Sequence, residues 1–105
     1  MSLILLKEAI ELRRTVSFEY KSQGERIGNP HAIYIYRAID GKETTKVDID
    51  QIAGVSSSGK PFPSFRMFDL DKISDARFTD GKIKFDISHD YKPESDRYKY
   101  PIKKV

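Results

Sequence analysis

Residues 54–61 read GVSSSGKP, and the first seven fit the spacing G-x-x-x-x-G-K of a phosphate-binding loop. Such a loop wraps phosphate with backbone N–H groups and starts a helix directly behind it. The residue after the Lys is Ser or Thr, whose hydroxyl binds Mg²⁺. Here that residue is Pro61, followed by Phe62 and Pro63. Pro63 disfavours helical geometry at Phe62, so no helix can begin where one is needed. The flanking residues read as strands on both sides. The stretch is therefore expected to be a hairpin connection that hydrolyses no nucleotide. Its Ser hydroxyls, Ser58 among them, and Lys60 still offer donors and a positive charge to an anion. The plainer reading is a solvated turn.

The other reactive groups are scattered. His31 and His89 lie far apart in sequence. Asp48 and Asp50 share one strand face, which suits a hard cation or, more simply, water. No third ligand accompanies them, so no metal and no cofactor are expected. The serines at 56–58 have no visible base, and G-x-S-x-G is absent. Nothing selects a catalytic pair among the sixteen acids. The chain is read as non-catalytic, with His31 as its one attractive acid–base group. Aromatic and basic residues do interleave. Tyr34 and Tyr36 share a face beside Arg37, in a pattern that fits a buried barrel face. Arg97, Tyr98, Lys99 and Tyr100 lie where no core pattern is visible. They are the better candidates for stacking on and neutralising single-stranded nucleic acid.

The elements that must position these groups follow from periodicity. In LILLKEAIELRR (3–14), Leu3, Leu6 and Ile10 are three and four apart, which predicts one amphipathic helix with Ser2 able to cap it. TVSFEYK (15–21) alternates, predicting a half-buried strand. Pro30 limits any strand over 26–29 to a short or edge role. HAIYIYRAI (31–39) reads as a strand ended by Asp40–Gly41. In TTKVDIDQIAGV (44–55), Val47, Ile49 and Gln51 share one side, and the pattern breaks near Gln51–Ile52, predicting a bulge. FRMFDL (65–70) is another strand. Residues 71–76 read as a short helical turn or bend. Asp80–Gly81, between two alternating runs, predicts a last hairpin over 76–88.

One helix and five to six short strands, with no second helix to cover a flat sheet, predict a mainly β (α+β) fold. A small barrel of about five strands, closed at one end by the helix, best removes the sheet edges. The 105 residues suit one domain with no large enclosed cavity. That domain is expected over residues 1–90. Residues 1–91 balance their charges, so the net +3 falls on KPESDRYKYPIKKV (92–105). Residues 91–105 are therefore read as a basic, aromatic tail, free to move and to attract a polyanion. The chain has no Cys, which suits a reducing cytosol. No run approaches a membrane span, and MSLILLKEAI is too short and too soon charged for a signal peptide. A cytoplasmic protein with no membrane partner is expected.

Five pieces in order carry a resemblance. LLKEAIELRR runs into VSFEY, then RIGNPH (26–31), QIAGVSSSGK (51–60) and FRMFDLDKI (65–73). This order resembles the WYL domain family, in particular its short stand-alone members, over roughly residues 5–80. The resemblance implies an Sm-like or SH3-like β-barrel with an N-terminal helix. It implies a bacterial regulatory or ligand-sensing module for negatively charged ligands, nucleotides or nucleic acid. The family's basic and polar positions fall on Arg26, His31, Arg66 and Lys72. Two departures stand out. The Trp-Tyr-Leu tripeptide is missing, and Lys72–Ile73 replaces Arg-Ile, which keeps the charge without the bidentate fork. The expected partner is an anionic small ligand or single-stranded nucleic acid, bound through Arg26, His31, Ser58, Lys60, Arg66 and Lys72. The alternative expectation is a protein-interaction or assembly module, a homo-oligomer formed through exposed edge strands.

Overall fold

A computed structural model describes residues 2–56 and 59–105. The apolar stripe of the first segment forms α1 (Ser2–Leu12), burying Leu6, Ala9 and Ile10. The Ser2 hydroxyl donates to the Ile73 carbonyl, tying the helix to a distant strand. The alternating segments then form β1 (Val16–Tyr20), β2 (Glu25–Arg37), β3 (Glu43–Gly54) and β4 (Ser64–Asp69). A 3₁₀ turn over Leu70–Lys72 leads directly into β5 (Ile73–Phe78). A second 3₁₀ turn, Asp96–Tyr98, precedes β6 (Pro101–Lys104). All six strands belong to one antiparallel sheet, ordered β4-β3-β2-β1-β5, with β6 pairing on β2. The protein is mainly β with one helix. The sheet ends at β4 and β5 without closing on itself.

β2 runs through Pro30, which the sequence pattern assigned to a short or edge position. Pairing explains the tolerance. On one flank β3 is continuous, while on the other β1 ends opposite Gly28 and β6 begins opposite Ala32. Pro30, which has no N–H, falls in the gap between those neighbours. His31 is the extra residue of a bulge there, since Pro30 pairs Ile49 and Ala32 pairs Asp48. The bulge expected near Gln51–Ile52 is present: Gly28 pairs Gln51 and Ile27 pairs Ala53, leaving Ile52 over.

Both sheet faces are covered. On the first, α1 packs on Val16, Phe18, Ile33, Val47, Ile49, Phe68 and Ile73. On the second, Tyr91 and Tyr98 pack on Ala32 and Tyr34, with Phe65 and Val105 beside them. That second core corrects two expectations. The hairpin over 76–88 does not form: no strand follows β5 until β6, and Ile83 is 89% exposed. Backbone donors there go to the α1–β1 link instead, Thr79 to the Thr15 carbonyl and Phe85 to that of Arg13. Residues 91–105 are likewise no loose tail. They form a strap across β2, held by Ile35 N–H to the Tyr100 carbonyl at 2.9 Å and Val105 N–H to the His31 carbonyl at 2.8 Å.

Candidate anion-binding site

Strand alternation brings two of the expected cations together. Phe18 and Arg26 are direct partners across β1 and β2, so Arg26 shares the face of the first core. Arg66 lies two residues before Phe68 on β4 and opposite Ile49, which places it on that same face. Both arginines thus occupy core-facing positions at one end of the sheet. With Tyr20, Lys21, Gln23, Met67 and Phe68 they line a pocket of about 250 Å³.

Arg26 is 1% exposed, yet no carboxylate among the described residues pairs with it. Its Nη1 donates to Gln51 Oε1 at 3.2 Å and its Nη2 to Gln23 Oε1 at 3.4 Å, both neutral acceptors. Gln51 is oriented for this, because its Nε2 donates to the carbonyls of Ala53 and Val55 around the bulge. Tyr20 and Phe68 place ring faces 5.6 and 5.5 Å from the guanidinium carbon. Nε has no partner. Burial, and then the neighbouring charge of Arg66, hold the Arg26 pKa below its usual value; Tyr20 opposes them weakly. A guanidinium nevertheless keeps its proton in a protein. The pocket therefore concentrates positive charge around a buried guanidinium whose Nε is not satisfied by the described residues. Arg66 completes the wall, donating to Ser56 Oγ at 3.2 Å.

The remaining expected residues lie elsewhere. Lys72 pairs with Asp69 at 3.2 Å, a carboxylate it shares with Lys46, and it does not line the pocket. Lys60 lines a different cleft, with Phe65, Arg97 and Tyr98. Phe65 and Arg66 are strand neighbours on opposite faces, which separates the two sites. Ser58 lies outside the described residues. Tyr98 is 5% exposed, so its ring is not offered to a base; of the strap residues singled out, Arg97, Lys99 and Tyr100 remain at the surface. β3 and β4 pair across the glycine- and serine-rich loop, and no helix starts behind it.

His31 is also withdrawn from the pocket. It is fully buried between Phe65, Phe85 and Tyr91, on the strap side of the sheet. Its Nδ1 donates to the Asn29 carbonyl at 2.7 Å, and its Nε2 accepts from Ser88 N–H at 2.9 Å. That pair of bonds requires the neutral ring. Burial holds its pKa below 6.5, while the Asn29 carbonyl, Asp50 and Asp48 oppose the shift. The unfolded chain takes up this proton more readily. The stability it contributes is therefore complete above about pH 6.5 and is lost as pH falls through the lower folded value. Asp50, pushed up by its own burial, has the opposite sign. The urea midpoint should fall on acidification below about pH 6.5, and a His31→Gln variant should show a flatter profile. Identical profiles for the two proteins would refute this role.

Asp48 and Asp50 do share a face, but the strap covers it. Asp48 is fully buried, accepting from Tyr34 Oη at 2.8 Å, Tyr98 Oη at 2.6 Å and Arg97 Nη1 at 3.0 Å. Burial and then the Asp48 carboxylate push both phenols above their ordinary range. No group of three or more His, Cys, Asp or Glu that could hold a metal occurs among the described residues. None of their helices is long and apolar enough to cross a membrane.

Comparison with protein-family models, with curated proteins and with solved structures gives no match. The functional reading therefore rests on the geometry of this chain.

Proposed function

We propose that the protein is a non-catalytic ligand-sensing module that holds an anionic ligand, a nucleotide or the phosphate of a short nucleic acid, against Arg26 and Arg66. The observation that carries this reading is the buried guanidinium of Arg26, which has no carboxylate and no Nε partner among the described residues. A buried charge is normally paired, because desolvating it alone costs several kcal/mol. A bound phosphate would supply the missing countercharge and accept from the donors of both arginines that face the pocket. At about 250 Å³ the pocket is smaller than a usual drug-sized site of ~300–1,000 Å³. It suits the phosphate end of a ligand and leaves a sugar or base outside.

The resemblance to the WYL family agrees in part, since two of its four expected positions, Arg26 and Arg66, converge here. The strand order, with the edge strands β4 and β5 joined directly by a 3₁₀ turn, supports the Sm-like or SH3-like barrel that the resemblance implies. One observation favours assembly as a second reading: β4 and β5 end the sheet order, and an edge can pair with another copy. Light scattering separates that reading from a monomeric sensor.

Thermal unfolding with pyrophosphate, nucleoside mono- and diphosphates and short oligonucleotides tests the site. A ligand at about 100 times its Kd should stabilise the fold by about 2.7 kcal/mol. The gain should shrink with added salt. If no phosphate compound raises the midpoint at low ionic strength, the reading fails.

A further inference from the structure

We propose a second binding surface, for a single strand of nucleic acid, running along the strap over two clefts that meet at Arg97. It is separate from the Arg26 pocket and does not rest on it. The first cleft, about 540 Å³, lies between residues 60–65 and the strap, with Lys60, Lys92 and Arg97 facing Asp90. The second, about 520 Å³, lies where the end of β2 meets the approach to β6, with Arg37, Arg97 and Lys99 facing Asp96. Arg97 lines both, so five cations border the track against two lining carboxylates, with Glu43 and Asp48 pairing Arg37 and Arg97. Such a line of positive charge matches a phosphate backbone.

Two aromatic rings supply the second half of the chemistry. Tyr34, Tyr91 and Tyr98 are buried, whereas Tyr36 and Tyr100 are 41% and 45% exposed and line the second cleft. The Arg37 guanidinium stands 5.4 Å from the Tyr100 ring, with Lys99 at 5.8 Å, and Lys46 stands 5.7 Å from that of Tyr36. Exposed rings beside cations stack unpaired bases and grip the adjoining phosphates. A duplex hides its base faces and cannot use them. The exposed Arg37–Glu43 pair is weak enough for Arg37 to turn to a phosphate. The surface is also preformed. Asp48, buried beneath the strap, fixes Arg97 and Tyr98 on β3. A ligand then spends little on ordering it.

Fluorescence anisotropy with a labelled oligothymidine of about 15 nucleotides, in about 50 mM salt, tests the surface. The wild-type protein should bind it, and a blunt duplex of equal length should compete poorly. The Tyr36→Ala/Tyr100→Ala double variant should bind about tenfold more weakly or worse, while Tyr36→Phe/Tyr100→Phe, which keeps both rings, should bind nearly as wild type. Arg26→Met removes only the share of the strand that the pocket holds, so the loss caused by the Ala pair should persist in an Arg26→Met background, which separates the surface from the pocket. Absence of binding, or binding that survives the Ala pair, would overturn the proposal. So would an effect of the Ala pair that vanishes in the Arg26→Met background, which would move the strand to the pocket.

Discussion

Replacing Arg26 with Met is expected to weaken binding of a phosphate ligand at least thirtyfold while changing the stability of the ligand-free protein little, because removal of the buried charge offsets the cost of leaving Gln51 Oε1 without its donor. The two halves share one cause. Truncating a buried, charge-assisted contact costs about 2–5 kcal/mol of binding, and 1.4 kcal/mol is a factor of ten. Without ligand the same guanidinium is a liability. It is 1% exposed, faces Arg66 and has only amide oxygens and two rings for company. Replacing buried ionic groups with apolar side chains of similar volume is often neutral or stabilising by about 1–4 kcal/mol. Met also keeps a favourable contact with Tyr20 and Phe68 through its sulfur. Urea unfolding without ligand and calorimetric titration with pyrophosphate measure the two effects. A structural role predicts the reverse: lower stability and unchanged affinity. That outcome would remove Arg26 from the site.

The second large effect is expected at Asp48. Its carboxylate is fully buried and takes three donors, from Tyr34, Tyr98 and Arg97. Asp48→Ala leaves two buried hydroxyls without an acceptor and releases the half-exposed Arg97 guanidinium to water, with a void beneath the strap. Each buried hydroxyl left unsatisfied costs about 1–3 kcal/mol, so the pair costs about 2–6 kcal/mol. Against a total of about 5–15 kcal/mol, that brings a small domain close to unfolding at ambient temperature. Tyr98→Phe, which removes one donor and keeps the ring, should cost only about 1 kcal/mol. Protease cleavage should appear first within residues 92–105 of the Asp48→Ala protein. A loss below about 1 kcal/mol, with the strap still protected, would show that the network does not hold it.

The first core was legible in the sequence because its residues keep a period. Leu6 and Ile10 mark the helix, Val16 and Phe18 mark β1, and Val47 and Ile49 mark β3. Gln51 stands in the same register, a polar residue in an apolar phase. It was a readable sign of a buried polar group needing a partner, which proves to be Arg26. The second core was not legible. Phe85, Tyr91 and Tyr98 are buried from segments without regular pairing, where single contacts such as Ser88 N–H to His31 replace a ladder. No period of 2 or 3.6 arises from such contacts. Asp48 and Asp50 consequently resembled a solvated face. The convergence of Arg26 and Arg66 needed tertiary pairing of β3 with both β2 and β4, which spacing alone does not supply.

β2 has a further consequence for how the molecule opens. It is flanked by β3 along its length, by β1 at its start and by β6 near its end. No local fraying of a single neighbour bares both sides of it. Its amides that donate to β3, the flank paired along its length, therefore report the opening of the whole fold, whereas those that donate to the strap, such as Ile35 N–H to the Tyr100 carbonyl, report release of the strap, and exchange at the edge strands β4 and β5 reports only their own.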